Sequence, residues 1–200
     1  MGAATRERIV EAGSMLFRRQ GYAGTGMKAI AAAAKAPFGS IYHFFPGGKD
    51  ELTGEVIRAA GRVYATLVPM FFDGAPDVAI ATRASFLGAA QTLRDRDYAD
   101  ACPIAVVALE VASTNERLRL ATAEVFADWV AALAARYEGA GLSPAAARRL
   151  AVSFVSMLEG AFVLARASKD ARMVEDAGEI MFEAVRTALA DAAAEDELCA

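Results

Sequence analysis

Few residues of this chain are able to support acid–base or nucleophilic catalysis. The only histidine is His43, so no Ser-His-Asp or Cys-His catalytic set, and no site with several histidine ligands, can be assembled elsewhere. The run Gly47-Gly48-Lys49 lacks the preceding strand and the following Ser or Thr of a phosphate-binding loop. We therefore predict that the protein is not an enzyme and has no catalytic residue, no metal site and no cofactor.

Two glutamates and two cysteines are further candidates for chemistry. Glu110 and Glu159 lie in apolar runs, where a carboxylate is usually hydrogen-bonded or anchors a polar ligand, although an acid–base role is conceivable. Cys102 and Cys199 stand in no CxxC pair and beside no histidine, so they form no metal or redox motif. A redox role for Cys102 stays open.

The segment that contains His43 is suited to recognition rather than to catalysis, and it begins with a predicted supporting helix. Thr25 is placed to accept a backbone hydrogen bond as the N-cap of this helix. The apolar residues that recur at helical spacing after it are Met27, Ile30, Ala31 and Ala34. This spacing predicts a helix with one buried face.

A second, shorter helix is predicted over Phe38–Phe44, after a two-residue turn. Pro37 suits its first position, and the Pro-Gly-Gly run that follows ends it. A helix of under two turns is unstable alone, so Ile41 and Phe45 must pin it against its neighbours. The residues that it then presents outward are Phe38, Gly39, Ser40, Tyr42 and His43.

Two helices joined by a short turn, the second outward-facing, form the helix-turn-helix plan, whose second helix enters the DNA major groove. The segment GYAGTGMKAIAAAAKAPFGSIYHFFPGGKDEL resembles the amino-terminal signature of the TetR family of bacterial transcriptional repressors. The run APFGSIYHFFPGGK is similar to the subgroup of lincomycin-resistance and flavonoid-responsive repressors, and CPIAVVALEVAS is similar to the body of that subgroup. The resemblance covers nearly the whole chain, more weakly after Glu51.

The resemblance implies a set of DNA contacts. Tyr42 and Lys49 match family positions that hold the DNA backbone on either side of the groove. Gly39 lets the helix start approach the groove floor, and Ser40 and His43 are placed to reach base edges. The residues predicted to bind DNA are Thr25, Lys28, Phe38, Gly39, Ser40, Tyr42, His43 and Lys49.

Two positions depart from the family pattern. Phe38 stands where the subgroup usually has a basic residue, which indicates an apolar contact, such as one with a thymine methyl group. Lys35 occupies a turn position where the family often has Gly or another small residue, and a lysine there is able to touch phosphate.

The distribution of charge agrees with a DNA-binding amino-terminal part. Residues 1–62 contain nine basic and five acidic side chains, whereas the remainder contains 12 basic and 20 acidic ones. The longest apolar run, Leu150 to Ala165, is shorter than the roughly 20 residues that span a bilayer, and it includes Glu159. With no export signal at the amino terminus, the sequence predicts a cytoplasmic protein with no membrane partner.

The rest of the chain is predicted to be helical, because no segment keeps a period of two with β-branched residues. The predicted helices are Thr5 to Gln20, Asp50 to Phe72, Asp77 to Arg94, Pro103 to Ala112, Asn115 to Glu138, Ser143 to Ala167 and Asp170 to Ala193. We predict an all-α protein, with a three-helix DNA-binding domain over residues 1–48 and a helical bundle for ligand binding and dimerisation over residues 49–200.

The last two helices carry the prediction of a homodimer. The final helix has a single apolar stripe, whereas the preceding one is apolar nearly all round, so it must be covered on more than one side. A partner subunit is the natural cover. The resemblance implies the same, because TetR repressors dimerise through their last long helices.

A cluster of aromatic and Met side chains from several body helices is, by residue type alone, more often plain core than a ligand pocket. The resemblance favours a pocket, because the family's body domain holds an effector. The residues predicted to bind a small, apolar or planar effector are Phe86, Glu110, Phe126, Trp129, Phe154, Met157 and Glu159.

The sequence thus predicts a repressor that binds double-stranded, palindromic operator DNA as a dimer and is released by a small-molecule effector. The alternative is a helical protein-interaction module that uses the exposed aromatic residues of Phe38–Phe44 and does not bind DNA.

Overall fold

A computed structural model describes the backbone of residues 2–199 and the side chains of residues 2–195. Over this range the chain forms ten α-helices and no strand, which confirms the predicted all-α class. The helices are α1 Gly2–Gln20, α2 Met27–Ala33, α3 Phe38–Phe44, α4 Gly48–Ala65, α5 Leu67–Phe72, α6 Val78–Asp95, α7 Pro103–Val111, α8 Glu116–Gly139, α9 Pro144–Ser168 and α10 Arg172–Cys199. Cys199 lies beyond the described side chains.

The helices fall into two compact units. The first unit comprises the chain up to Val63 together with Ala99–Val125, and the second comprises Tyr64–Tyr98 and the chain from Phe126 onward. α4 and α8 each begin in the first unit and end in the second. The predicted boundary between residues 48 and 49 concerns the division between DNA binding and ligand binding, and it stays a prediction.

The first unit buries large apolar side chains from each of its helices. The unit contains α1 to α3, most of α4, all of α7 and the start of α8. Its fully buried large side chains include Ile9, Phe17, Ile30, Ile41, Phe45, Leu52, Ile57, Ile104 and Leu118. Helices as short as α2 and α3 are stable in this setting because tertiary packing, rather than propensity, holds them.

The core of the second unit is built around aromatic side chains. Phe86 of α6 is fully buried and packs against Phe154 of α9, with ring centroids 4.9 Å apart. Tyr137 is also fully buried, and its hydroxyl shares a hydrogen bond of 2.8 Å with the Thr82 hydroxyl. A Cβ atom at Gly178 of α10 would lie 2.6 Å from the Phe86 Cβ, so α10 packs closely on α6 only because position 178 has no side chain.

The long helix predicted from Asp50 to Phe72, with Pro69 bending or ending it, is divided into α4 and α5 at Thr66. Pro69 is the physical cause. It has no N–H to donate to the carbonyl of Ala65, and its ring crowds that carbonyl. The break therefore occurs one turn before the proline rather than at it.

The start of α9 agrees with its sequence signal. The Ser143 hydroxyl accepts a hydrogen bond from the backbone N–H of Ala146, and Pro144 occupies the first helical position. α10 continues to Cys199, beyond the predicted end at Ala193.

Candidate nucleic-acid interface

α3 is held in place by two side chains on its inner face. Ile41 and Phe45 are both fully buried, as the sequence predicted. The Phe45 N–H donates to the Ile41 carbonyl over 2.7 Å, which closes the helix at its end. α3 covers Phe38–Phe44, as predicted, and Pro37 is its N-cap rather than its first helical residue.

The outer face of α3 presents an exposed aromatic pair. The Phe38 and Tyr42 side chains are 43% and 47% exposed, and their rings meet edge to face with centroids 5.5 Å apart. Gly39 and His43 are exposed beside them, and Ser40 is half-buried. The structure therefore brings five of the eight predicted DNA-binding residues onto one short helix.

A cleft of about 420 Å³ lies between α3 and the start of α1. Its lining residues are Gly2, Thr5, Gly39, Ser40, His43 and Phe44. Gly2 and Thr5 were not predicted as site residues, because α1 was predicted to begin only at Thr5. The absence of acidic side chains from the first turn of α1 was a usable signal, since the N–H groups of a helix start favour anions.

The turn between α2 and α3 carries an unusual residue. Lys35 has φ of +49°, in the left-handed region where glycine is favoured. The Ala36 N–H donates to the Ala31 carbonyl over 3.0 Å, and the Arg8 guanidinium of α1 donates to the Ala34 carbonyl over 3.2 Å. These bonds satisfy the last carbonyl groups of α2 and fix the angle at which α3 leaves it.

Thr25 does not act as predicted. The N-cap of α2 is Gly26, and the Thr25 hydroxyl donates instead to the Gly21 carbonyl over 2.7 Å. The Thr25 residue is fully buried, so its side chain shapes the loop before α2 and has no surface to offer to DNA. Lys28, in the first turn of α2, is exposed.

Lys49 lies in the first turn of α4, next to Tyr22. Its ammonium group sits 4.1 Å from the centre of the Tyr22 ring, and desolvation lowers the pKa of Lys49. The Tyr22 hydroxyl donates to the Asp50 carboxylate over 2.5 Å. Burial, followed by this hydrogen bond, raises the pKa of Tyr22 to about 12. The lysine predicted to hold a phosphate is thus placed by the Tyr22 ring, which sequence reasoning missed.

Two family models match the chain. Residues 9–56 match the bacterial regulatory proteins of the tetR family, and residues 78–180 match the C-terminal domain of LmrA/YxaF-like transcriptional regulators. The chain belongs to the TetR family of transcriptional regulators. The resemblance to this family that the APFGSIYHFFPGGK run indicates is confirmed. The family consists of DNA-binding regulators rather than enzymes.

Relatives of known sequence agree with this assignment. The TetR-family chain is 32% identical over 166 residues to the uncharacterized HTH-type transcriptional regulator YxaF of Bacillus subtilis, covering 83% of this chain and 87% of YxaF. It is 34% identical over 170 residues to an uncharacterized HTH-type transcriptional regulator of Mycobacterium tuberculosis, covering 82% and 86%.

A solved structure shares the fold. The TetR-family transcriptional regulator from Agrobacterium tumefaciens superposes with a TM-score of 0.80 over 92% of this chain and 98% of that one, at 22% identity. At this identity the likeness shows the fold alone.

Six of the seven residues predicted to bind a ligand lie in the second unit of this TetR-family regulator. Phe86 and Phe154 belong to the packed core, at 0% and 6% exposed. Phe126 and Trp129 are half-buried, and the Trp129 ring meets both Phe126 and Tyr64 edge to face at 5.5 Å. Tyr64 was not predicted, because it lies far from this group in sequence. Of the remaining α9 residues, Met157 and Glu159 are half-buried.

The structure does not bring Glu110 to these residues, and this part of the predicted ligand site is corrected. Glu110 belongs to the first unit. Its carboxylate accepts hydrogen bonds from the backbone N–H groups of Tyr22 and Ala23, at 2.9 and 2.6 Å. The apolar run around it led sequence reasoning to a pocket, whereas the side chain points to the loop between α1 and α2.

Proposed function

We propose that this TetR-family regulator is a cytoplasmic, homodimeric repressor that binds a palindromic operator and leaves it when a small apolar or planar effector binds its second unit. The observation that carries the proposal is the outer face of α3, an exposed recognition surface on a helix held by the buried Ile41 and Phe45. A family of DNA-binding regulators supplies the context in which this face meets the major groove.

Gly39 supports contact with an outside partner. A glycine inside a helix costs about 1 kcal/mol relative to alanine. A Cβ atom there would meet nothing within 4 Å, and its φ is not positive, so nothing within the described chain requires glycine. Close approach of the helix start to the floor of a groove explains the choice.

The side chains of α3 divide by chemistry. Ser40 and His43 carry hydrogen-bonding groups that suit base edges, and Phe38 suits the methyl group of thymine. Tyr42 and Lys49 suit phosphate oxygens, which position a protein without reading sequence. The exposed Lys28 adds a further positive charge beside the groove.

The dimer is proposed to form through α9 and α10. Both helices keep large apolar side chains exposed on faces turned away from the core: Val152, Val163, Leu164, Met173 and Ile180. By length and composition α9 would even pass as a membrane span, with 22% of its most apolar window buried. For a regulator that must reach DNA, a second copy of the chain is the better cover for this surface.

The effector is proposed to bind beside Trp129, on the half-buried rings of Tyr64 and Phe126. Edge-to-face rings leave ring faces on which a planar molecule is able to stack. Phe86 and Phe154 belong to the packed core of the same unit, and Met157 and Glu159 remain proposed contacts. Release of DNA requires that the effector bind one spacing of the two DNA-binding surfaces better than the other.

The exposed Phe38–Tyr42 pair is the one feature that favours the alternative, a protein-interaction module. A gel-shift titration on DNA from immediately upstream of the gene separates the two functions. Binding that weakens steeply with salt is expected for the repressor, because phosphate contacts release counterions. An absence of binding to this DNA and to random duplex at every salt concentration would leave the interaction module as the better function.

Lys49→Ala is expected to weaken binding to upstream DNA and to random duplex by the same factor. The variant removes one phosphate contact, so the slope of log affinity against log salt should fall by about one unit. The measurement is a pair of salt titrations for wild type and variant. His43→Ala serves as the contrast, since loss of a base contact should lower affinity for the operator more than for random duplex. A change of base preference in Lys49→Ala would contradict the assigned role.

Trp129 fluorescence is expected to change when an apolar planar compound binds, because Trp129 is the only tryptophan and its ring lies between two proposed contacts. The same compound should release upstream DNA over the same concentration range. Tyr64→Ala should weaken both responses together, whereas Tyr98→Ala, on a turn of the same unit, should leave them unchanged. A compound that releases DNA without altering the fluorescence would place the effector site elsewhere.

A further inference from the structure

We propose that Glu110 of α7 is a positioning residue for DNA binding, which fixes the loop that leads into the helix-turn-helix. The two hydrogen bonds from the N–H groups of Tyr22 and Ala23 to the Glu110 carboxylate are called the Glu110 latch. The inference rests on the proposed function in one respect, that α3 is the surface that meets DNA.

The latch engages a loop shaped to receive it. Gly21 has φ of +75°, and a Cβ atom there would lie 2.3 Å from a Glu110 carboxylate oxygen. A side chain at position 21 would therefore strain the backbone and displace the carboxylate. Both N–H groups lie just beyond the end of α1, so without Glu110 they would need water as their partner.

Tyr22 is held at its other end as well. Its hydroxyl donates to one oxygen of Asp50, and the Asn115 side-chain amide donates to the other over 2.7 Å. Asn115 in turn accepts a hydrogen bond from the backbone N–H of Leu118, at the start of α8. Two residues that follow α6 in the chain therefore hold Tyr22. Glu110 binds its backbone N–H, and Asn115 binds the Asp50 carboxylate that accepts from its hydroxyl.

A third contact ties the segment that follows α6 to α1. The Arg19 guanidinium donates to the Asp100 carboxylate over 3.0 Å, and Arg18 lies 3.9 Å from it. The latch and its supports therefore fix the end of α1, the entry to α2 and the Tyr22 ring beneath Lys49. A shift of the loop would move both α2 and the proposed phosphate contact.

The direction of the change in DNA affinity distinguishes a positioning role of Glu110 from an effect of its charge alone. Removal of a carboxylate from the DNA-binding unit should by itself strengthen DNA binding, because it lowers the repulsion of phosphate. Loss of the latch should weaken it. Glu124→Ala is the matched control, since Glu124 is exposed on α8 of the same unit and its loss changes the net charge equally.

The test compares wild type, Glu110→Ala, Glu110→Gln and Glu124→Ala on upstream DNA. Glu110→Ala should bind about tenfold more weakly than Glu124→Ala, because the charge-assisted hydrogen bonds that position α2 and the Tyr22 ring beneath Lys49 are lost. Glu110→Gln keeps one acceptor oxygen and should fall between the two. If Glu110→Ala does not fold, the comparison of Glu110→Gln with Glu124→Ala decides the matter.

Hydrogen exchange of the free protein provides a readout that needs no DNA. The Tyr22 and Ala23 amides should lose protection in Glu110→Ala and keep it in Glu124→Ala. Unchanged protection, or DNA binding as tight as that of Glu124→Ala in a folded protein, would overturn the proposal. If wild type does not bind upstream DNA, the proposed operator is wrong, and exchange together with binding to random duplex still decides the role of Glu110.

Discussion

Val163→Glu is expected to convert the proposed dimer into a folded monomer and to lower affinity for the proposed operator by at least about 100-fold. The Val163 side chain is 61% exposed on α9, so a glutamate there costs the isolated subunit little. Within an apolar interface the same carboxylate would be buried without a partner. A monomer engages one half-site only, and linked binding to two sites exceeds single-site affinity by about 100-fold to 10,000-fold.

The measurement is molar mass by light scattering after size exclusion, followed by gel shift on upstream DNA. Leu87→Glu is the matched control, because Leu87 is 44% exposed but lies on α6, outside the proposed interface. Ile180→Glu, on the exposed face of α10, should repeat the result of Val163→Glu. A dimeric Val163→Glu variant with wild-type operator affinity would show that α9 is covered by something other than a second copy.

Local signals in the sequence were sufficient to predict most helices. The Ser143-Pro144 start, the inward positions of Ile41 and Phe45, and the outward face of α3 all follow from spacing and capping rules, which act within one or two turns. The family signature placed these helices in a fold, which the comparisons confirm.

Features that depend on distant residues could not be predicted. Thr25 has the chemistry of an N-cap, yet its hydroxyl donates to the Gly21 carbonyl, and Gly26 is the N-cap of α2. Glu110 lies 88 residues from Tyr22 in sequence, and no local pattern reveals that pairing. The contact between Tyr64 and Trp129 also joins residues that are distant in sequence, so no local pattern predicts it. In each case tertiary contact decides the role of a side chain that local pattern leaves open.

The predicted ligand site shows how one pattern can describe two environments. Aromatic residues at helical spacing on α6, α8 and α9 all indicate burial, and sequence alone does not separate a packed core from a pocket wall. The structure separates them by exposure, since Phe86 and Phe154 are buried whereas Phe126 and Trp129 are half-buried. This difference leads to distinct expectations for variants in the two groups.

Phe154→Ala is expected to lower the free energy of unfolding of the second unit by about 3 to 5 kcal/mol, the usual loss when a buried phenylalanine is truncated. The Phe154 ring packs 4.9 Å from the fully buried Phe86, and α10 packs closely on Phe86 at Gly178, so the cavity has little room to collapse. Urea denaturation followed by Trp129 fluorescence measures the loss, because the only tryptophan reports on this unit.

Leu87→Ala, at an exposed position directly after Phe86 in α6, is the control for Phe154→Ala and should change stability by about 0.5 kcal/mol or less. Under conditions where Phe154→Ala remains folded, the response of Trp129 fluorescence to a planar effector shows whether Phe154 only supports the core or also contacts the ligand. A retained response with reduced stability would assign Phe154 to the core beneath the site. Truncation of a buried phenylalanine usually costs about 3 to 5 kcal/mol. A stability loss below about 1 kcal/mol would therefore contradict the packing described for Phe154. If the folded Phe154→Ala variant also loses the Trp129 fluorescence response, the Phe154 ring is a direct contact of the effector.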